Sequence, residues 1–244
     1  MIAANQAEKP SDLGPLQALG RVARVFYAPR RAALEIRNQP NWVFPLLLTL
    51  LLSFIGAAVL FERPEWHQAL QKALENSGQK LGELEKVKLL QALKVASWIF
   101  SLATPVVGNL LIAVILWGTS VKLTGKVGFV PIFSFQLHAQ MVTLIPRTMG
   151  LAWLLGHPSP EGGQGDLPLP FTLGYFLPRG FGSAELRAVT GSMDLFGLWY
   201  WAIVIAGLGV LSGVPCRRFL LPVAFLWALS VLIAAGAVLL TTPA

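Results

Sequence analysis

Charged residues are scarce in this sequence, and their scarcity excludes most soluble folds. Asp, Glu, Lys and Arg make up 13% of the 244 residues, against about 25% in ordinary soluble domains. Hydrophobic residues make up 55%, and the mean hydropathy is +0.62. Since a membrane-spanning helix needs about 20 consecutive apolar residues, the chain has room for several spans. The composition therefore predicts an all-α, polytopic membrane protein.

Cysteine and the patterns of metal and catalytic sites are also lacking. Cys216 is the single cysteine, so no disulfide can form within the chain. The sequence has no P-loop, HExxH, GxSxG or CxxC motif. Its histidines are too scattered for a metal site: His67, His138 and His157. We therefore expect no enzymatic activity, no metal and no cofactor.

A cleavable signal peptide is missing as well, because residues 1–12 lack a basic start followed at once by an apolar run. We therefore expect the first span to remain in the mature protein. The pattern divides the chain into a cytoplasmic tail, residues 1–41, and a membrane domain, residues 42–241.

Five apolar runs predict five membrane-spanning helices. They cover residues 42–61, 95–121, 129–155, 193–211 and 219–240. An odd number of spans places the two termini on opposite sides of the membrane. The two shortest connections are purely basic, and five arginines precede the first span. The positive-inside rule then predicts a cytoplasmic N-terminus and an extracytoplasmic C-terminus in the inner membrane.

The segment 14–41 is too charged to cross a bilayer. Apolar residues nevertheless recur at helical spacing, at Leu16, Leu19, Val22, Val25 and Phe26. Pro29 opens a second short helix and Pro40 ends it. An apolar face beside arginines predicts amphipathic helices in the interface plane, and packing on the protein's own loops is the alternative. We expect contacts with anionic lipid from Arg21, Arg24, Arg30, Arg31 and Arg37; the overall net charge of +7 favours anionic lipid over nucleic acid.

Two long connections join the spans. Residues 62–94 have helical character, and their second apolar stripe runs into the second span. Residues 156–191 are rich in Pro and Gly, and this connection exceeds the usual length of structureless loops. Either connection could dock a partner or lie on the membrane surface.

A polar stripe crosses the third span. Its residues lie 4, 3 and 4 positions apart, within about 60° of one helix face: Gln136, Gln140, Thr143 and Arg147. Asp194 opens the fourth span at the depth of Arg147, so the two charges are placed to pair. The stripe has two interpretations, a polar cavity for a substrate headgroup, or interhelical hydrogen bonds with a snorkelling arginine. Asp194 also needs no partner, because a first-turn carboxylate is favoured by the helix dipole.

Other polar and small residues in the spans favour helix packing. Asn109 and His138 are expected to hydrogen-bond neighbouring helices. Gly209 and Gly213 form a GxxxG pattern in the fourth span, and Ala224 with Ala228 forms a small-xxx-small pattern in the fifth. Both patterns permit close helix approach.

Three segments together resemble bacterial members of the Yip domain family: RVFYAPRRAALEIRNQPNWVFPLLL (24–48), SMDLFGLWYWAIVIAGLG (192–209) and CRRFLLPVAFLW (216–227). The resemblance implies five spans, a cytoplasmic N-terminus and an extracytoplasmic C-terminus. The family is named for eukaryotic relatives that bind Ypt/Rab GTPases, but their acidic N-terminal region is not present here. Some bacterial relatives resemble accessory subunits of ABC exporters. The 156–191 connection and Arg147 depart from the family pattern.

These observations predict a non-enzymatic accessory subunit that docks on a partner transporter, such as an ABC exporter, and modulates it. An alternative is an independent carrier or binder of a lipid or amphiphile that uses the polar stripe of the third span. A third hypothesis is a membrane-shaping protein that acts through its amphipathic segments.

Overall fold

The computed structural model describes residues 14–61, 66–68, 71, 82–125, 127–155, 171–178, 182, 186, 189–191 and 193–241. Its named helices are α1 (Pro15–Tyr27), α2 (Pro29–Asn38), α3 (Val43–Phe61), α4 (Glu83–Thr124), α5 (Phe129–Leu155), α6 (Leu173–Phe176), α7 (Leu195–Ser212) and α8 (Leu220–Thr241), with a 3-10 turn at Cys216–Phe219 before α8. The described residues form no named strand.

Five of these helices, α3, α4, α5, α7 and α8, contain apolar stretches long enough to span a membrane. The all-α, five-span prediction is confirmed, and the chain is a multi-pass membrane protein. The predicted bounds of the third span, 129–155, match α5, although Pro146 lies inside it. The second span differs, because α4 begins twelve residues before residue 95, at Glu83. Its 42 residues extend over about 63 Å.

Local sequence explains where several helices begin and end. Proline occupies the first turn of α1 and of α2, where its missing N–H costs no helical hydrogen bond. Asp194 caps α7, since its Oδ1 accepts a hydrogen bond from the Phe196 N–H at 2.8 Å. Gly125 ends α4 and Gly213 ends α7, each with a positive φ that suits glycine.

Helix α5 lies at the centre of the bundle and contacts α1, α2, α3, α4 and α7. Gly207 of α7 allows a close approach to α5. A Cβ atom at Gly207 would lie 2.1 Å from the Phe135 ring of α5, so a larger residue would require that ring to move. The GxxxG residue Gly209 serves a different contact, because a Cβ there would lie 3.1 Å from the Cβ of Cys216 in the following turn.

Aromatic contacts mark the two ends of the bundle. At the end where α3 and α5 begin, the Trp42 and Phe133 ring centroids are 6.0 Å apart. At the opposite end, Phe61 packs edge-on against Trp98 of α4 at 5.1 Å. We call the second, where Phe61 and Trp98 lie, the loop end.

Helices α1 and α2 form a hairpin that packs on α5 and α7. The Phe26 carbonyl oxygen accepts a hydrogen bond from Trp199 Nε1 at 3.3 Å, and Arg37 Nη1 lies 3.5 Å from the Val210 carbonyl oxygen. Phe26 and Arg37 are 11 residues apart, as are Trp199 and Val210. Helix α2 therefore follows α7 in the same chain direction, and its buried Ala32, Ala33 and Ile36 join the core of the bundle.

The buried face of α1 differs from the predicted apolar face. Ala18, Val22 and Val25 are buried, as predicted for the two valines, but Leu16 and Leu19 are exposed. The reason is that α1 carries apolar residues on two sides, and only the side with Ala18 faces the bundle.

Candidate functional site

A polar cluster lies inside the bundle where α4, α5 and α7 meet. The side chain of Gln136 is 1% exposed, and its Nε2 donates to Asn109 Oδ1 at 3.2 Å and lies 2.5 Å from the Tyr200 hydroxyl oxygen. Asn109 Nδ2 also donates a hydrogen bond to the Pro105 carbonyl oxygen, one turn earlier in α4, at 2.7 Å. The cluster joins three spans, which fits the expected role of Asn109 in helix packing. Gln136 Oε1 is buried and has no hydrogen-bond partner among the residues that the structure describes.

The rest of the predicted stripe runs from this cluster towards the loop end. Gln140 and Thr143 are half-buried, and Thr143 Oγ1 donates to the Gln140 carbonyl at 3.0 Å. The Arg147 side chain is 54% exposed. The stripe therefore passes from a fully buried residue to a largely exposed one.

Arg147 and Asp194 lie together at the loop end, with 4.0 Å between Arg147 Nη2 and Asp194 Oδ2. This separation is too long for a hydrogen bond. Asp194 combines the ion pair with capping of α7, so both of its predicted interactions are present in one side chain.

We expected His138 to hydrogen-bond a neighbouring helix. His138 is buried, but its Nδ1 contacts its own helix instead. Its Nδ1 lies 2.7 Å from the Ser134 carbonyl oxygen one turn earlier in α5. This contact replaces the expected one because a side chain can reach the carbonyl oxygen four residues earlier in its own helix.

The hairpin contains a second polar cluster, centred on Glu35. Arg24 Nη1 forms a close hydrogen-bonded ion pair with Glu35 Oε2. Arg21 Nε lies 3.8 Å from the same oxygen, and Arg31 Nε lies 3.7 Å from Oε1. One carboxylate thus faces three guanidinium groups, so the cluster carries an excess of positive charge.

Arg21 is less exposed than the other arginines for which the sequence predicts lipid contact. The residue is only 5% exposed, and its Nη1 donates to the Gln39 carbonyl at 2.7 Å. It lies on the buried side of α1, where the carbonyl and Glu35 compensate its charge. Burial lowers the pKa of Arg21, opposed by the charge of Glu35, whereas the hydrogen bond to Glu35 raises the pKa of Arg24.

The three arginines of α2 are exposed, as contact with lipid headgroups requires. Arg30, Arg31 and Arg37 lie on the outer face of the helix, with the half-exposed Leu34 among them. Arg24 is intermediate between these and Arg21, with a side chain 29% exposed.

A cavity of about 380 Å³ opens between α1 and α2 beside the Glu35 cluster. It is lined by Leu16, Gln17, Gly20, Arg21, Arg24 and Glu35. Its wall therefore combines two guanidinium groups, one amide and one carboxylate with an apolar side chain at the rim.

Helix α8 packs on the bundle through one part of one side. Val223 and Leu226 are its buried residues among the side chains that the structure describes. Ala224 and Ala228 are exposed, about 150° around the helix from that contact. The small-xxx-small pair therefore does not face α7, and we call it the α8 small-residue face.

Sequence reasoning did not single out four residues of these clusters: Gln17, Gly20, Glu35 and Tyr200. A signal for Glu35 was present, since it is the single acidic residue between positions 13 and 61. Tyr200 carried no such signal, because an aromatic residue in a span usually packs as an apolar side chain.

No family model, curated protein or solved structure matches this chain. Membership of the Yip domain family therefore stays a hypothesis that rests on the three segments quoted above.

Proposed function

We propose that this chain is a non-enzymatic accessory subunit of the inner membrane, which docks on another integral membrane protein and modulates it. The α8 small-residue face is the observation that carries the proposal. Ala224 and Ala228 lie one turn apart on a membrane-spanning helix and face away from the other helices that the structure describes.

Small residues at this spacing suit a helix partner better than lipid. They let two helix backbones approach closely, which is how helices associate in a bilayer where the hydrophobic effect gives no drive. Acyl chains gain nothing comparable from a small-residue pair. The occupant proposed here is therefore a membrane-spanning helix of a second protein.

The class of that partner comes from the sequence resemblance. Some bacterial proteins similar to the Yip domain family look like accessory subunits of ABC exporters, so we propose an ABC-type exporter as the partner. The proposed orientation, with the N-terminus in the cytoplasm, places the start of α8 on the side where an exporter holds its nucleotide-binding domains.

The carrier alternative is less well supported by the polar stripe. Gln136 is enclosed by protein, and its amide nitrogen contacts Asn109 and Tyr200. A substrate headgroup at that position would have to displace contacts that hold three spans together.

Affinity purification from the native membrane tests the proposal. We expect the wild-type chain, isolated in mild detergent, to carry a stoichiometric exporter subunit identified by mass spectrometry. The double variant A224L/A228L should lose at least about 90% of that subunit, because two added side chains prevent close helix approach.

The matched control is A103L, which makes the same change at an exposed position of the α4 span and should retain the partner. Equal recovery with A224L/A228L and A103L would overturn the α8 assignment. Recovery of only a second copy of this chain would overturn the accessory role.

A further inference from the structure

The excess positive charge of the hairpin lies beside an open cavity. We propose that the cavity between α1 and α2 binds the phosphate group of an anionic phospholipid. This site lies on different helices from the α8 small-residue face, so the two proposals can fail separately.

Among the described residues, the guanidinium groups at Glu35 outnumber the carboxylates that pair with them. Glu35 is the one carboxylate that Arg21, Arg24 and Arg31 share. A guanidinium carries five N–H donors in a fixed fork that matches a phosphate. Arg21 and Arg24 both line the cavity, so an anion there would meet two fixed cations.

Burial makes this site more than a patch of surface charge. Arg21 is 5% exposed and is held in place by the Gln39 carbonyl at 2.7 Å. Its guanidinium is therefore already oriented and partly desolvated, which strengthens an interaction with an anion. Arg218, exposed in the turn before α8, does not line the cavity.

The apolar residues next to the cavity favour a lipid over free phosphate. Leu16 lines it and is 84% exposed, and Leu19 and Tyr27 are also exposed on α1. At 100° per residue these side chains share one side of the helix, next to the side that carries Arg24. A phospholipid with its phosphate at Arg24 would lay an acyl chain along these residues.

Gly20 keeps the cavity open. A helix interior normally disfavours glycine, and Gly20 is not required by packing, since a Cβ there would have nothing within 4 Å. A larger side chain at this position would fill the cavity without a clash with the surrounding atoms.

Native mass spectrometry of the full-length protein in detergent tests the site. Short-chain phosphatidylglycerol, short-chain phosphatidylcholine and inorganic phosphate are titrated separately. We expect phosphatidylglycerol to bind at least about tenfold more tightly than phosphatidylcholine, as a charge-assisted contact predicts. Inorganic phosphate should not compete at equal concentration.

Three variants locate the binding. Gly20→Leu keeps every charge and should weaken phosphatidylglycerol binding about tenfold, as should Arg24→Gln, whereas Arg218→Gln should change it less than about twofold. Thermal unfolding without lipid identifies any variant that has lost its fold, and Gly20→Leu keeps the test valid if Arg24→Gln unfolds.

Equal binding of the two lipids, or equal loss in Arg24→Gln and Arg218→Gln, would overturn the proposal. So would undiminished binding in folded Gly20→Leu. Competition by inorganic phosphate at equal concentration would show a site for free phosphate and would overturn the assignment to lipid.

Discussion

At the residue scale, Arg21 shows how a charge can be accommodated in the core of a membrane protein. Its position on α1 places it between Glu35 of α2 and the carbonyl of Gln39, the residue that follows α2. A lone buried charge would be costly, and these partners compensate it. Helical spacing could predict that Arg21 lies on α1, but not that α2 folds back to supply its partners.

Gln136 links α5 to α4 and α7 through uncharged hydrogen bonds to Asn109 and Tyr200. We expect Gln136→Leu to lower the free energy of unfolding in detergent by about 1–2 kcal/mol, because Asn109 and Tyr200 lose a buried partner. Thermal or denaturant unfolding of the purified chain measures this loss.

Gln140→Leu is the matched control, since Gln140 is half-buried one turn further along the same face. A loss in Gln140→Leu as large as that in Gln136→Leu would show that the contacts to Asn109 and Tyr200 contribute no specific stability.

At the scale of helices, the sequence predicted which helices form better than it predicted how they pack. The bounds of α5 could be predicted, because an apolar run of sufficient length has few other structures in a bilayer. The early start of α4 could not, since residues 83–94 carry charges that end an apolar run without ending a helix. For α1, two apolar sides made the choice of buried face ambiguous until α5 and α7 were in place.

Gly207 is the glycine on which the contact between α5 and α7 depends. We expect Gly207→Ala to cost about 1–3 kcal/mol of stability, because the added Cβ would require the Phe135 ring to move. Unfolding of the purified variant in detergent measures the effect.

Gly118→Ala is the control, at a position in α4 where a Cβ would have nothing within 4 Å. It should be neutral, or stabilising by up to about 1 kcal/mol, as for a glycine replaced in a helix interior. A Gly207→Ala variant as stable as the wild type would contradict the tight contact.

At the scale of the whole molecule, the start of α3 and the turn at Cys216 lie at one end of the bundle, α6 lies at the other, and the hairpin runs alongside α7 between them. The five spans were predictable from composition and run length. The polar clusters were not fully predictable, because they depend on which helices become neighbours. The proposals for the cavity between α1 and α2 and for the α8 small-residue face depend on the side of the membrane at which each lies, as well as on the fold.

Sulfhydryl labelling with a membrane-impermeant maleimide tests that topology most directly. Cys216 is half-buried in the turn between α7 and α8, and Phe176 is 70% exposed in α6 at the loop end. In intact cells we expect no labelling of the wild type and strong labelling of F176C in a C216S background. Permeabilised cells should label both. Labelling of Cys216 in intact cells would reverse the orientation, and labelling of both positions from one side would contradict the five-span architecture.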